Sequence, residues 1–331
     1  MMSMKCLCAL AVLFTATRAI SAGDQPIKIV PEDAKLEQLW NAGTFTEGVA
    51  VAPDGTIYFS DITADETPGR VLRFVPETGK TEVASAHSGK SNGLMFNRQG
   101  VLIAACGAAY GKRCLAKIVD GQVKVLVDKY KGKKFNAPND LVIHPNGTIY
   151  FSDPFYVGTE KLELDHMSVY RYDPRKTANP LTQVTENISR PNGVILSPDS
   201  KTLYVAETDP GSEEPDAKKP IRMTLNAFPI NADGSLGKKR VLVNFGKKLG
   251  VDGMTVDQLG NIYASVRSAD RFGITVYNPE GQELAYIKTP DLPTNCTFGI
   301  GDDANMLYIT AGKGLYRIRL TQTGYHPAIA K

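Results

Sequence analysis

A seven-residue string occurs twice in this chain. GTIYFSD runs from Gly55 to Asp61 and again from Gly147 to Asp153, each time behind an apolar run and a Pro-Asp or Pro-Asn turn. Seven identities do not readily arise by chance. Looser copies share the same grammar: FNRQGVLIAA from Phe96, SPDSKTLYVAE from Ser197, DQLGNIYASV from Asp257 and DDANMLYIT from Asp302. With Asp54, Gln99, Asn146, Asp199, Leu259 and Asp303 as the turn residues, the six units are spaced by 45, 47, 53, 60 and 44 residues. Periods of this size belong to propeller blades or solenoid repeats.

The content of one unit decides between these. Unit one reads GVAVAP, a turn, TIYFSD, a loop, RVLRFVP, an ETG turn and KTEVAS. These are four short β-rich runs separated by turn residues, which is the make-up of a blade. Helical periodicity is essentially absent beyond the first residues, so the chain is expected to be all-β, a six-bladed β-propeller. The last unit ends early: after MLYIT and GLYRIRL only TQTGYHPAIAK remains. KLEQLW, from Lys35 to Trp40, precedes the first unit without a partner of its own. It is expected to supply the missing strand, close the ring and remove an open sheet edge.

The chain has 38 basic against 35 acidic residues, a formal charge of +3, which gives no support for nucleic-acid or anionic-membrane binding. Lys5, the apolar run Cys6 to Ala16 and the small residues ending at Ser21 and Ala22 read as an export signal, residues 1–22, with residues 23–331 forming one propeller domain. The apolar run is too short for a membrane span. The protein is therefore expected to be periplasmic or secreted. Removing Lys5 and Arg18 with the signal leaves 36 basic against 35 acidic residues. Cys106, Cys114 and Cys296 remain. In ACGAAYGKRC the first two end apolar runs joined by a Gly-rich turn, either bonded in an oxidising compartment or reduced at their strand ends.

If the six units superpose, one position per blade can be compared by phase. Seven residues before each turn residue stand Glu47, Asn92, Asn139, Asn192, Asp252 and Cys296. They sit where the chain enters the innermost strand, so they are expected to converge on the propeller axis. Asn-Gly and Asp-Gly are common turn dipeptides, and Asn92 alone would be read that way. Turn chemistry does not explain a Glu recurring in phase with further Asn and an Asp. Carboxylates and amide carbonyls without in-phase histidine suit a hard divalent cation, calcium first, with magnesium and then zinc as weaker candidates. GxSxG, HExxH and GxxxxGK[ST] are absent, and Gly299 to Ala304, which fits GxGxxA, opens onto a strand and reads as a turn. The basic run Lys129 to Lys134 reads as a pocket rim or a solvated loop. ETDPGSEEPDAKKP from Glu207 reads as a lid or a surface insertion.

EGVAVAPDG from Glu47, NAPNDLVIHPNGTIYFSDPFYVG from Asn136, RPNGVILSPD from Arg190, VDGMTVDQLGNIY from Val251 and TNCTFGIGDDANMLYIT from Thr294 resemble the gluconolactonase and senescence-marker-protein (regucalcin) family, its bacterial gluconolactonase branch most. The resemblance implies a six-bladed propeller holding one divalent ion, usually calcium, through Glu47, Asn139, Asn192 and Asp252. It further implies a small-molecule lactone substrate opened to the aldonic acid. In that reaction the ion polarises the lactone carbonyl, Asp252 assists the attacking water, and Asn92 and Asn139 contact substrate. Cys296, a soft ligand, is expected to pack or to touch substrate. Paraoxonase-like propellers use a histidine near the axis where TNCTFG here has none. The competing expectation is a propeller whose ion is structural and which binds a ligand or protein without turnover.

Overall fold

The computed structural model describes residues 28–63, 67–185, 187–211 and 219–328. The proposed export signal lies outside the described residues. Six four-stranded antiparallel sheets are arranged as six blades. Their innermost strands, Thr46–Val51, Leu94–Phe96, Leu141–Ile143, Pro191–Leu196, Val251–Val256 and Pro293–Phe298, pack one against the next, and the sixth returns to the first. The ring is therefore closed around one axis.

The last blade is completed as the sequence predicts. Glu37–Trp40 pairs antiparallel with Gly314–Arg319, the third strand of the blade that Pro293–Phe298 begins. Trp40 packs edge-on against Phe59 of the first blade at 5.4 Å between ring centroids, so this strand also ties the last blade to the first. Among the described residues the only helical segment is the 3₁₀ turn Gly301–Asp303, in agreement with the reading of Gly299 to Ala304 as a turn. The core lies between blades, in clusters such as Val49, Ile57, Phe59, Leu72, Tyr308 and Leu315, where the apolar faces of neighbouring sheets meet.

The repeated heptapeptide has a local purpose. Gly55 and Gly147 turn the first hairpin with φ of 87° and 88°, a conformation that costs an L-side chain about 1 kcal/mol or more. At the other end of the string, Asp61 Oδ1 accepts the N–H groups of Thr44 and Phe45 at 2.7 and 3.2 Å. Asp153 accepts those of Asn136 and Ala137 at 3.0 and 2.8 Å. In blade four Glu207 Oε1 accepts the N–H of Ser189 at 2.8 Å. Thr44, Asn136 and Ser189 stand three residues before Glu47, Asn139 and Asn192 respectively, so each carboxylate pins the chain just ahead of an axial residue.

Candidate active site

Glu47, Asn92, Asn139, Asn192 and Asp252 all line one cavity of about 650 Å³ at one end of the axis. The five side chains selected by phase are therefore brought together. Cys296 is not. Its thiol donates to the Tyr263 carbonyl at 3.3 Å, between the fifth and sixth blades, and burial pushes it up to about 12. The cause is the hairpin of the last blade. In the other five blades the axial residue stands four positions before the last residue of the inner strand, Val51, Phe96, Ile143, Leu196 and Val256. The 3₁₀ turn places Asp303 five residues beyond Phe298, where the equivalent turn residues lie three beyond, so the count slips by two. The sixth axial residue is Thr294. Its hydroxyl donates to the Thr46 carbonyl at 2.7 Å and helps close the ring.

The residue after each axial position is Gly48, Gly93, Asp140, Gly193, Gly253 and Asn295. Glycine here serves close approach rather than a simple turn. A Cβ on Gly253 would lie 2.2 Å from Asn295 Cγ, and one on Gly48 would lie 1.7 Å from the Asn92 carbonyl oxygen. The two exceptions, Asp140 and Asn295, belong to opposite blades and face one another across the channel. Asp140 also accepts the N–H groups of Leu141 and Val194 at 2.9 and 3.0 Å, and burial pushes its carboxyl up to about 7. Together they form a polar plug beneath the cavity. At the far end of the channel the segment Tyr325 to Ala328 covers a small space of about 40 Å³ that Asp140 and Asn295 also line.

The cavity floor is charged and buried. Burial, and then repulsion from Asp252, push the Glu47 carboxyl well above the usual carboxylate range, while Arg267 opposes the shift. Asp252 is raised by burial and lowered by Arg267 and by a hydrogen bond from Asn192. Arg267 Nη1 donates to Asp252 Oδ2 at 2.8 Å. Asn192 Oδ1 is buried with no hydrogen-bond partner. An orphaned carbonyl oxygen beside two carboxylates and a further amide is what an oxygen-loving divalent cation would satisfy, so these residues fit one. Among the described residues no group of three His, Cys, Asp or Glu side chains has metal-binding geometry. A site here would thus draw on amide oxygens as well as its two acids.

Phe45, Ile62, Ala109, Val157, Met223 and Leu249 make the walls apolar, and Tyr156 and Arg190 stand among them. The Tyr156 hydroxyl donates to the Pro191 carbonyl at 3.2 Å, and its ring lies under the Arg190 guanidinium at 5.6 Å. Sequence reasoning missed Asp140, Tyr156 and Arg267. Asp140 was detectable as a departure from glycine after the axial position. The other two come from segments that do not repeat. Lys129–Tyr130 and Lys133–Lys134 form a separate hairpin that does not line the cavity, which favours the solvated-loop reading. Of the insertion after Glu207, Pro210 reaches the wall, and residues 212–218 lie outside the described residues. Cys106 and Cys114 are paired across neighbouring strands and are free thiols.

Asp153→Ala should lower stability by about 2 kcal/mol, because two buried N–H groups lose their acceptor, and Asp153→Asn, which keeps one acceptor oxygen, should lose less. Denaturant unfolding of the two variants checks the order.

The chain is 31% identical over 329 residues to a gluconolactonase of Zymomonas mobilis, covering 90% of this chain and 82% of that protein. A solved gluconolactonase from Xanthomonas campestris superposes with a TM-score of 0.75 at 32% identity, over 88% of this chain and 91% of that one. The calcium-binding protein regucalcin from Agrobacterium tumefaciens shares the fold, with a TM-score of 0.69 at 20% identity over 90% of this chain and 98% of that one. A model of the SMP-30/gluconolactonase/LRE-like region matches residues 45–313, from the strand that opens the first blade to the hairpin of the last. With the six blades and the axial ring it delimits, this match makes the chain a member of the SMP-30/gluconolactonase/LRE-like family.

Proposed function

We propose that this protein is a hydrolase that opens a sugar lactone, gluconolactone-like, to the aldonic acid, and that it requires a divalent cation, calcium foremost. The observation that carries this reading is the meeting of Glu47, Asn139, Asn192 and Asp252 on the floor of one cavity, with Asn192 Oδ1 buried and unpaired. The gluconolactonases of Zymomonas mobilis and Xanthomonas campestris support the substrate class. The calcium-binding regucalcin, alike in fold, is in keeping with the choice of ion.

Glu47, Asn139, Asn192 and Asp252 would hold the ion. When bound there, it supplies Lewis acidity to the lactone carbonyl. Asp252 would take a proton from the attacking water. Water adds to the carbonyl carbon, the ring C–O bond breaks, and the proton passes to the departing ring oxygen, leaving a hydroxy acid. Asn92 and Asn139 line the same floor and can donate N–H groups to hydroxyl oxygens of the substrate. The apolar walls exclude water from the carbon skeleton and strengthen the polar contacts below.

Acid release from gluconolactone and from a panel of lactones, followed with a pH indicator and compared with open-chain esters, tests the reading. Lactones should be turned over with kcat/KM at least about tenfold above matched open-chain esters, a ratio that corresponds to roughly 1.4 kcal/mol of transition-state preference. A protein that hydrolyses none of the panel would contradict it.

A further inference from the structure

Arg267 is the residue of the cavity floor that the proposed chemistry does not use. It follows the second strand of blade five, Ile262–Val266, whose Val266 pairs with Val251, and this register sets the guanidinium beside Asp252. Nη1 donates to Asp252 Oδ2 at 2.8 Å, and the guanidinium lies 5.9 Å from the Phe45 ring centroid. The charge also faces Glu47, so it counters both carboxylates that the ion would need.

The arrangement is incomplete as a structural ion pair. Arg267 Nε is buried without a hydrogen-bond partner, and so is Asn192 Oδ1 on the same floor. A buried pair kept only for stability satisfies its remaining donors and acceptors, since an unpaired buried polar group is costly. Here the guanidinium neutralises Asp252 but leaves a donor of its own and a neighbouring acceptor unmet. A divalent cation drawing on Asp252, Glu47 and Asn192 would meet the orphaned acceptor and compete with Arg267 for the same carboxylate.

Resting on the reading of this floor as an ion site, we propose that Arg267 is its resident counter-cation: it pairs with Asp252 when the ion is absent, gives that contact up when the ion binds, and thereby sets the affinity for divalent cations. Two positive charges cannot share one buried carboxylate without repulsion, and a unit charge removed from beside a divalent ion is worth at least about tenfold in affinity at an effective dielectric constant of about 20. Arg267 is thus a positioning residue for the ion, with no contact to reacting atoms required of it.

Calorimetric titration of calcium into chelator-treated full-length protein tests the proposal. Arg267→Met keeps an unbranched apolar stem against Phe45 and removes the charge; it should bind calcium at least about tenfold more tightly than the wild type. Arg267→Lys, which keeps the charge, should stay within about threefold of the wild type. Unchanged or weaker binding by an Arg267→Met protein with native near-ultraviolet dichroism would overturn the role of Arg267 alone. If the wild type binds neither calcium, magnesium nor zinc, the ion-site reading itself fails. A wild-type crystal grown in calcium supplies a readout free of mutation: the contact of Arg267 Nη1 to Asp252 Oδ2 should be broken, and its persistence at 2.8 Å with the ion bound would overturn the proposal.

Discussion

Asp252→Asn is expected to lower lactone turnover by about three orders of magnitude while leaving the fold intact. The substitution keeps the shape of the side chain, so the inner strand Val251–Val256 and its neighbours need not move. It removes the charge that Arg267 faces and an anionic oxygen for the ion. Loss of a general base costs about 10²- to 10⁴-fold, and a weakened ion site adds to that. Kinetics at rising calcium separates the two roles. Turnover that stays low at saturating ion places Asp252 in the proton transfer. Near-full turnover with the ion still bound would remove it from the mechanism.

Gly48→Ala should be among the most damaging small substitutions in the chain, at about 4 kcal/mol. Gly48 has φ of 51°, and an added Cβ would lie 1.7 Å from the carbonyl oxygen of Asn92, a backbone atom that cannot swing aside. Relief requires moving blade one away from blade two at the axis, which breaks the packing of their inner strands and shifts Glu47. Gly55→Ala is the matched control. Its φ of 87° imposes backbone strain, but a Cβ there meets nothing within 4 Å, so the loss should be only about 1 kcal/mol. Thermal or denaturant unfolding of both variants checks the difference, and equal losses would show that closure at the axis is not what Gly48 provides.

The fold was legible because a propeller repeats itself. Two exact copies of GTIYFSD fixed the phase, and the period and strand content of each unit did the rest. The unpaired KLEQLW segment was likewise legible as the closing strand, since an incomplete last unit leaves a sheet edge that something must cover. Five of six axial residues followed by counting. The sixth failed for a physical reason: the 3₁₀ turn Gly301–Asp303 lengthens one hairpin, and a count from the turn then lands on Cys296 instead of Thr294.

The parts of the site that escaped sequence reading do not repeat from blade to blade. Arg267 lies beyond the end of a second strand, and Tyr156 comes from a connecting loop, where each blade differs in length and composition. No phase relation links such residues, so only the closed ring brings them together. Asp140 is intermediate. The run Gly48, Gly93, Asp140, Gly193, Gly253, Asn295 exposes it as an exception, but its meaning depends on knowing that blades three and six face each other across the channel.

The proposed dependence of lactone hydrolysis on one divalent ion held by the axial ring is open to direct measurement. Its most direct test is to strip the protein with a chelator and titrate calcium back while recording bound ion and gluconolactone hydrolysis in the same samples. The account predicts that hydrolysis falls to background in the stripped protein and rises in step with ion binding, reaching its plateau at about one ion per chain. Full hydrolysis by stripped protein, or binding of the ion without any gain in hydrolysis, would contradict it.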